Sequence, residues 1–473
     1  MNEIKETYSF DDILIEPRYS DIKSRADISL KTKLSDKITL NIPIISSPMD
    51  TVTEDSMAIE MAMSGGLGII HRFQSLENQV SMIKRVKRHL SNMIERPYTI
   101  DYTCSLEELL SKYNTSGIMV VDENKKFVGI VSKRDIEIHH VSGGSNSVLV
   151  KDIMTPLERV KYVEKHDIIK IMDIYKKYKV EKVPVLDSDN SIIGLVVLKN
   201  LVYFYKNKDV ASLDSNGRLL VGAAVGINDY MERSKELVKV GVDVLCIDIA
   251  NGYNKMMYNA IVELKKEFPS VTIMAGNVCT KAGFEFLCKA GADCIRVNIG
   301  AGSICSTRIQ TGIGVCQFSA LMECSKVAKE YDVTMISDGG HCGKVGNKFK
   351  ALAVGSGCVL LGKSLAGTKE SPGNIIYKSG KRFKYYRGMA SMYANLSKQE
   401  RTGGDLNKNF YVEGIEGEVE YKGNVIDELN RICNGMRSGM SYLGVRTISE
   451  LHETEVVFNR VTSSGLNETL TRL

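Results

Sequence analysis

Eight short apolar runs, most of them ending at glycine or another small residue, recur along this chain. They are NIPIIS (41–46), GGLGIIH (65–71), LLVGAAVG (219–226), VDVLCIDIA (242–250), VTIMAGNV (271–278), DCIRVNIG (293–300), VTMISDGG (333–340) and SGCVLLG (356–362). Near-continuous hydrophobicity over a strand's length is what a strand buried on both faces requires. Helical patterns separate most of the runs, such as NDYMERSKELVKVG (228–241) and NKMMYNAIVELKKEF (254–268). Eight strands alternating with helices predict an α/β fold, a (β/α)8 TIM barrel; an open, doubly wound sheet is the structural alternative. With 473 residues the chain also exceeds one ordinary domain.

One interval breaks the rhythm. The gap from His71 to Leu219 is several times the usual strand-to-strand spacing, and it contains an internal repeat. SGIMVVDENKKFVGIVSKRD (116–135) aligns with EKVPVLDSDNSIIGLVVLKN (181–200), matching Val120 with Val185, Asp122 with Asp187 and Gly129 with Gly194. Each half reads helix, strand, turn, strand, helix, so the pair is one module. It resembles a tandem CBS (Bateman) module over 93–206, inserted between barrel segments 1–92 and 207–473. That resemblance implies a regulatory purine nucleotide, ATP or GTP, with Ser132 and Asp135 contacting its ribose. In the second half the same positions hold Val197 and Asn200, which departs from the pattern. A purely structural insertion is the alternative.

Composition excludes several classes. Lysine and arginine number 62 against 57 acidic residues, a net charge of +5 spread along the chain. No long basic run with interleaved aromatics favours nucleic acid. No apolar stretch is long enough to span a membrane, and the start, MNEIKETYSFDD, lacks a signal-peptide pattern. Eleven cysteines without a CxxC pair argue against a disulfide framework or structural zinc, so a reducing cytoplasm is expected.

The stretch NIGAGSICSTRIQTGIGVCQ (298–317) follows the sixth apolar run, at the end of the barrel where such folds build their sites. The seventh and eighth runs end in Ser337-Asp338-Gly339-Gly340 and Gly362-Lys363. Bare glycine backbone there offers N–H groups to a phosphate, to which Ser303 and Lys363 can add a hydroxyl and a charge. Glycines serving only as strand terminators would explain one such loop more easily than three. Cys305, in the barest loop, is a candidate nucleophile; Cys246, Cys288, Cys294 and Cys358 lie in apolar patterns where core packing is the default.

At this point the chain resembles the IMP dehydrogenase/GMP reductase family. GAGSICSTR matches its active-site loop GxGSxCxTR, and SSPMDTVTE (47–55), YSFDDILIEP (8–17), SDGG (337–340), AGTKESPG (366–373), YRGMAS (386–391) and EGIEG (413–417) also match. The resemblance implies that Cys305 attacks C2 of a purine nucleotide, GMP or IMP, forming a covalent thioimidate. It places Ser303, Asp338, Gly339, Gly340 and Gly362 at the ribose phosphate, with Lys363 and Tyr386 also among the substrate-binding residues. Met389, Ala390 and Ser391 would meet the base and ribose, and Gly388, Glu413 and Gly414 would also bind the substrate. Asp248, Ala250, Asn251, Gly300 and Ala301 would line the nicotinamide dinucleotide, and carbonyls of Gly300, Gly302 and Cys305 would hold potassium. Asn298 and Ala301 stand where a glycine and a proline are expected.

The family has two branches. A dehydrogenase hydrolyses the intermediate with water activated by an Arg-Tyr pair, whereas a reductase expels ammonia from GMP and needs an acid for the leaving amine. Here Arg401 is followed by Thr402, not tyrosine. DIANGY (248–253), TIMAGNV (272–278) and RIQTGIGVCQFSALMEC (308–324) resemble the reductase branch, while AGTKESPG, RSGMSYLG (437–444) and SSGLNE (463–468) resemble the dehydrogenase. The expectation is an NADPH-dependent reductase in which Thr307 and Glu413 handle the amine's proton, with an NAD-dependent dehydrogenase as the alternative. A nucleotide sensor without turnover is a third reading. The resemblance also implies a homotetramer, or an octamer.

Overall fold

The computed structural model describes residues 4–89, 93–95, 97–113, 117–396 and 411–468. The chain divides into two compact units, one comprising Met1–His89, Asp209–Ser215 and Leu219–Leu473, the other Leu90–Lys208 and Asn216–Arg218. Among the described residues no helix is long and apolar enough to cross a membrane.

The larger unit is a closed eight-stranded parallel barrel. Its strands are β1 (Ile44–Ser46), β2 (Leu67–Ile70), β3 (Gly222–Val225), β4 (Val244–Asp248), β5 (Thr272–Val278), β6 (Cys294–Val297), β7 (Thr334–Asp338) and β8 (Cys358–Leu361). Each of the eight apolar runs supplies one strand. β3 pairs with β2 through Gly222–Ile69 and Ala223–Ile70, closing the barrel across the inserted residues. Side chains alternate in register, so Val244 and Cys246, Leu67 and Ile69, Met274, Cys294, Ile336 and Cys358 meet in one buried cluster. The barrel is therefore filled, and chemistry is confined to its rim. Helices on the outside bury the apolar stripe of each pattern: Asn254 caps Lys255–Glu267, which buries Met257, Ala260, Ile261 and Leu264. At the base, buried Lys87 reaches Asp214 at 2.9 Å and Asp243 at 2.6 Å.

The smaller unit carries the repeat. Strands Ile118–Val121 and Phe127–Val131 form one antiparallel pair, Lys182–Leu186 and Ile192–Val197 the other. The aligned aspartates build the same turn. Asp122 accepts from the backbone N–H of Asn124 (2.9 Å) and Lys126 (2.8 Å), and Asp187 from those of Asp189 (2.9 Å) and Ser191 (2.7 Å). The aligned glycines each face a methionine: a Cβ on Gly129 would sit 2.7 Å from the Met154 sulfur, and one on Gly194 2.7 Å from that of Met93. All eleven cysteines are free thiols.

Candidate active site

The loop after β6 is shaped by its own polar groups. Asn298, 8% exposed, accepts from the N–H of Ala301 at 2.8 Å, and Cys305 N–H donates to Gly302 at 3.0 Å. Asn298 thus closes the turn with its side chain where the family pattern has glycine. Arg308 braces the loop's two ends, its Nε donating to the Ile299 carbonyl at 3.2 Å and its Nη2 to that of Val315.

A second segment, 411–415, crosses this loop. Ser306 N–H donates to Glu413 carbonyl (2.8 Å) and Ile415 N–H to Ile304 carbonyl (2.9 Å), pairing Cys305 with Gly414. The crossing sets three side chains in series. The Cys305 thiol donates to the Thr307 hydroxyl at 3.2 Å, and that hydroxyl donates to the Glu413 carboxylate at 2.7 Å. Residues 388–391 lie on the far side of Gly414, where a Cβ would come within 2.8 Å of Ser391 nitrogen. Only glycine admits so close a backbone approach. Glu413 N–H donates to Ala390 carbonyl (3.2 Å) and Gly388 N–H to Ile415 carbonyl (2.9 Å), completing a layer of three irregular segments.

Two residues before the cysteine, Ser303 is hydrogen-bonded to Tyr386, which is buried at 5% exposure. Burial pushes its phenol up to about 12, so it remains protonated at neutral pH. Gly362 leaves room for that ring's hydroxyl, and Lys363 is exposed at the same strand end. Gly339 and Gly340 both have φ +77°, a turn that left-handed backbone makes possible at the end of β7. Met389 sulfur accepts from Asp50 N–H at 3.4 Å.

Asp248, at the end of β4, and Asp338, at the end of β7, flank Arg296, which is 2% exposed. Arg296 Nη2 donates to Asp248, and its Nη1 lies 3.6 Å from Asp338, which also accepts from Asn277 at 2.8 Å. Burial opposes ionisation of Asp248, but Arg296 and Arg72 outweigh it and hold its carboxyl below the usual range. At Asp338 burial prevails over Arg296 and Asn277, and the carboxyl is pushed up. Ala250 and Asn251 follow Asp248, both exposed.

Sequence reasoning missed four of these residues. Arg296 and Asn277 sit inside apolar runs, where an arginine at an otherwise buried strand position is a usable signal. Arg387 Nε binds the fully buried Asp50 carboxylate at 3.0 Å, holding residues 387–391 against the SSPMD segment. That contact joins positions 337 residues apart and leaves no local trace. His71 is fully buried, with Nε2 3.3 Å from Glu54, consistent with a packed histidine. Glu323 is exposed on the helix Gln317–Tyr331. Ser132 and Asp135 lie in the smaller unit at the start of the helix Lys133–Val141. Ser132 Oγ donates to the Asp135 carboxylate at 2.6 Å and accepts from Asp135 N–H at 3.3 Å. Arg401 and Thr402 lie outside the described residues.

At the glycine-rimmed barrel mouth, a thiol, a hydroxyl and a carboxylate thus lie in series. A family profile described as "IMP dehydrogenase / GMP reductase domain" matches residues 7–471. The chain belongs to the IMP dehydrogenase/GMP reductase family. It is 43% identical to the inosine-5′-monophosphate dehydrogenase of Nitrosopumilus maritimus, with 98% of each chain covered. It is 41% identical to that of Aquifex aeolicus, covering 98% of this chain and 95% of the relative. Among solved structures it resembles a cysteine-to-alanine variant of GMP reductase from Trypanosoma brucei in complex with guanosine 5′-monophosphate. That similarity has TM-score 0.90 and 38% identity and covers 99% of this chain and 98% of the other. The same reductase in complex with guanosine 5′-triphosphate matches with TM-score 0.79 and 34% identity, covering 97% of this chain and 99% of that one.

Proposed function

We propose that this chain is a GMP reductase, converting GMP to IMP and ammonia with NADPH. The observation that carries the reading is the Cys305–Thr307–Glu413 series, with bonds of 3.2 and 2.7 Å. Cys305 adds to C2 of the purine, and its proton has a path through Thr307. Glu413 and Thr307 deliver a proton to the amine, which leaves as ammonia as the C2–N bond breaks. A dinucleotide bound beside C2 would supply hydride; as the C–S bond breaks the sulfur leaves as thiolate, IMP is released, and the thiolate takes a proton from solvent to restore the thiol. Arg401-Thr402 supports this branch, because a threonine cannot complete the Arg-Tyr pair that hydrolysis requires.

The ribose phosphate is assigned to Ser303, Asp338, Gly339, Gly340, Gly362, Lys363 and Tyr386, and the base to Gly388–Ser391 and Gly414. Asp248, Ala250, Asn251, Gly300 and Ala301 are assigned to the dinucleotide. Potassium fits the carbonyls of Gly300, Gly302 and Cys305: hard cations take such oxygens, and Gly302 already accepts one N–H, so it offers a single remaining lone pair. The smaller unit is read as a tandem CBS module binding ATP or GTP, and the assembly as a homotetramer, or an octamer.

IMP dehydrogenase is the second reading, favoured by the names of relatives 43% and 41% identical. Purified protein given GMP and NADPH should lose absorbance at the reduced-nicotinamide band. No loss there, with a gain from IMP and NAD, reverses the assignment; turnover with neither pair leaves a nucleotide sensor.

A further inference from the structure

Behind the turn that follows β8, a second chain segment is locked in place. Lys422 N–H donates to the Gly367 carbonyl at 2.9 Å and Lys369 N–H to the Gly423 carbonyl at 2.7 Å. A Cβ on Gly367 would come within 2.6 Å of the Glu420 carbonyl, so only glycine lets the two backbones lie this close. From this anchored position the Lys422 ammonium reaches into the turn. It donates to the Lys363 carbonyl at 2.6 Å and to the Ser364 carbonyl at 3.0 Å.

These two bonds fix the direction of the peptide groups they hold. In a planar trans peptide the C=O and N–H point opposite ways. With the Lys363 carbonyl turned to Lys422, the Ser364 N–H faces away from the ammonium, and among the described residues it donates to no backbone carbonyl. The next N–H, that of Leu365, closes the turn on the Gly362 carbonyl at 3.0 Å. The positive charge is not cancelled on the spot, because the neighbouring carboxylate, Glu428, is held by Arg431 at 2.7 and 2.8 Å. A second cation, Lys348, is fully buried within charge reach of Lys422, but its Nζ donates to the Lys344 carbonyl at 3.3 Å and makes no bond to the turn.

We propose that Lys422 is a positioning residue for the substrate's phosphate: by gripping the Lys363 and Ser364 carbonyls it aims the backbone donors of residues 362–364 at the anion. The inference rests on the reading that Gly362 and Lys363 hold the ribose phosphate. Lys422 acts through the turn and does not touch the phosphate itself. Carbonyls released from the ammonium could rotate towards the anion and repel it, and the N–H groups of the same peptides would turn away. The strand Glu416–Glu420 joins Lys422 to the segment that carries Glu413, so one stretch of chain serves both the phosphate turn and the proton relay.

The test uses the full-length enzyme with IMP and inosine, which differ only in the phosphate and serve whether the enzyme proves a reductase or a dehydrogenase. Lys422→Met should weaken IMP binding by roughly 10- to 50-fold, while inosine binding stays within about twofold. KM for the nucleotide substrate should rise by a similar factor with kcat within about threefold of the parent. Lys422→Arg, which keeps the charge and the donors, should recover most of the loss. Lys348→Met removes a neighbouring charge without a bond to the turn and should cost about threefold or less. Unchanged IMP binding in Lys422→Met at the parental melting temperature overturns the proposal, as does an equal loss for IMP and inosine. A loss in Lys348→Met as large as that in Lys422→Met overturns it too, because charge alone would then account for the effect. Should Lys422→Met fail to fold, Lys422→Gln replaces it under the same criteria. Parent enzyme that binds inosine as tightly as IMP would instead sink the phosphate reading, and this inference with it.

Discussion

Two hydroxyl–carboxylate pairs in this molecule have similar bond lengths and different origins. Ser132 and Asp135 are three residues apart, and their 2.6 Å contact belongs to a capping box at the start of a helix. Thr307 and Glu413 are 106 residues apart, and their 2.7 Å contact exists only because segment 411–415 crosses the loop after β6. The first pair satisfies orphan N–H groups of its own helix turn, so local stability accounts for it. The second caps nothing: Ser306 heads the helix Thr307–Thr311 without a side-chain cap bond. It costs long-range ordering and ends at a thiol. A pair of this kind calls for a chemical explanation, whereas the local pair does not.

The largest expected effect falls on the thiol that the long-range pair serves. Cys305→Ala should lower turnover by roughly 10^4-fold or more, measured by nicotinamide absorbance, while GMP still binds. Residual turnover near the parental rate would remove the covalent step. Glu413→Gln should cost about 10^2- to 10^4-fold in turnover with a melting temperature close to the parent's. Thr307→Val should fall in a similar range, and the double variant should lose far less than the product of the two, since one relay is broken twice. A Thr307→Val protein that loses stability but keeps its rate would make the two pairs alike and dissolve the distinction.

Smaller effects belong to the local pair and its neighbours. Ser132→Ala should destabilise the smaller unit by about 1 kcal/mol, the usual loss of a cap, and leave basal turnover unchanged. Titration of that variant with ATP and GTP separates the cap from a ribose contact, because only the latter predicts a lost nucleotide response. Least of all, Asp187→Asn should remove an acid-sensitive contribution. The N–H groups of Ser191 and Asp189 overcome a slight burial penalty and hold the Asp187 carboxyl below the ordinary value. With the folded pKa depressed, its stabilisation is present above the unfolded value and is lost as pH falls through the folded one. Acid melting of parent and variant should therefore converge at low pH; a constant gap at all pH values would contradict this.

The barrel was legible because strands buried on both faces need unbroken apolar runs, and all eight runs became strands. The repeat was legible through Asp122 and Asp187, whose side chains build identical turns from local bonds. Cys305 stood out by its bare loop, and Thr307 and Glu413 through the motifs that carry the family resemblance. The Asp248–Arg296–Asp338 cluster was only half visible. Its carboxylates mark strand ends, but nothing within CIRV tells that Arg296 reaches both. The Asp50–Arg387 pair was not legible: each residue lies within a quoted motif, SSPMDTVTE or YRGMAS, but nothing in either motif tells that the fold joins them.

The barrel closes by pairing β2 with β3, strands that flank the whole inserted unit. At the base, Lys87 near the point of departure and Asp214 just after the return are tied together at 2.9 Å and anchored to Asp243. The chain thus leaves and re-enters the cylinder through a clamped doorway, and everything between counts as one long excursion. The entropy of joining its ends grows only logarithmically, about 0.6 kcal/mol per doubling of length. An excursion of this size therefore burdens the cylinder little more than a short connection would, leaving the cassette free to change sequence, or to be exchanged whole, at small thermodynamic expense to the catalytic frame.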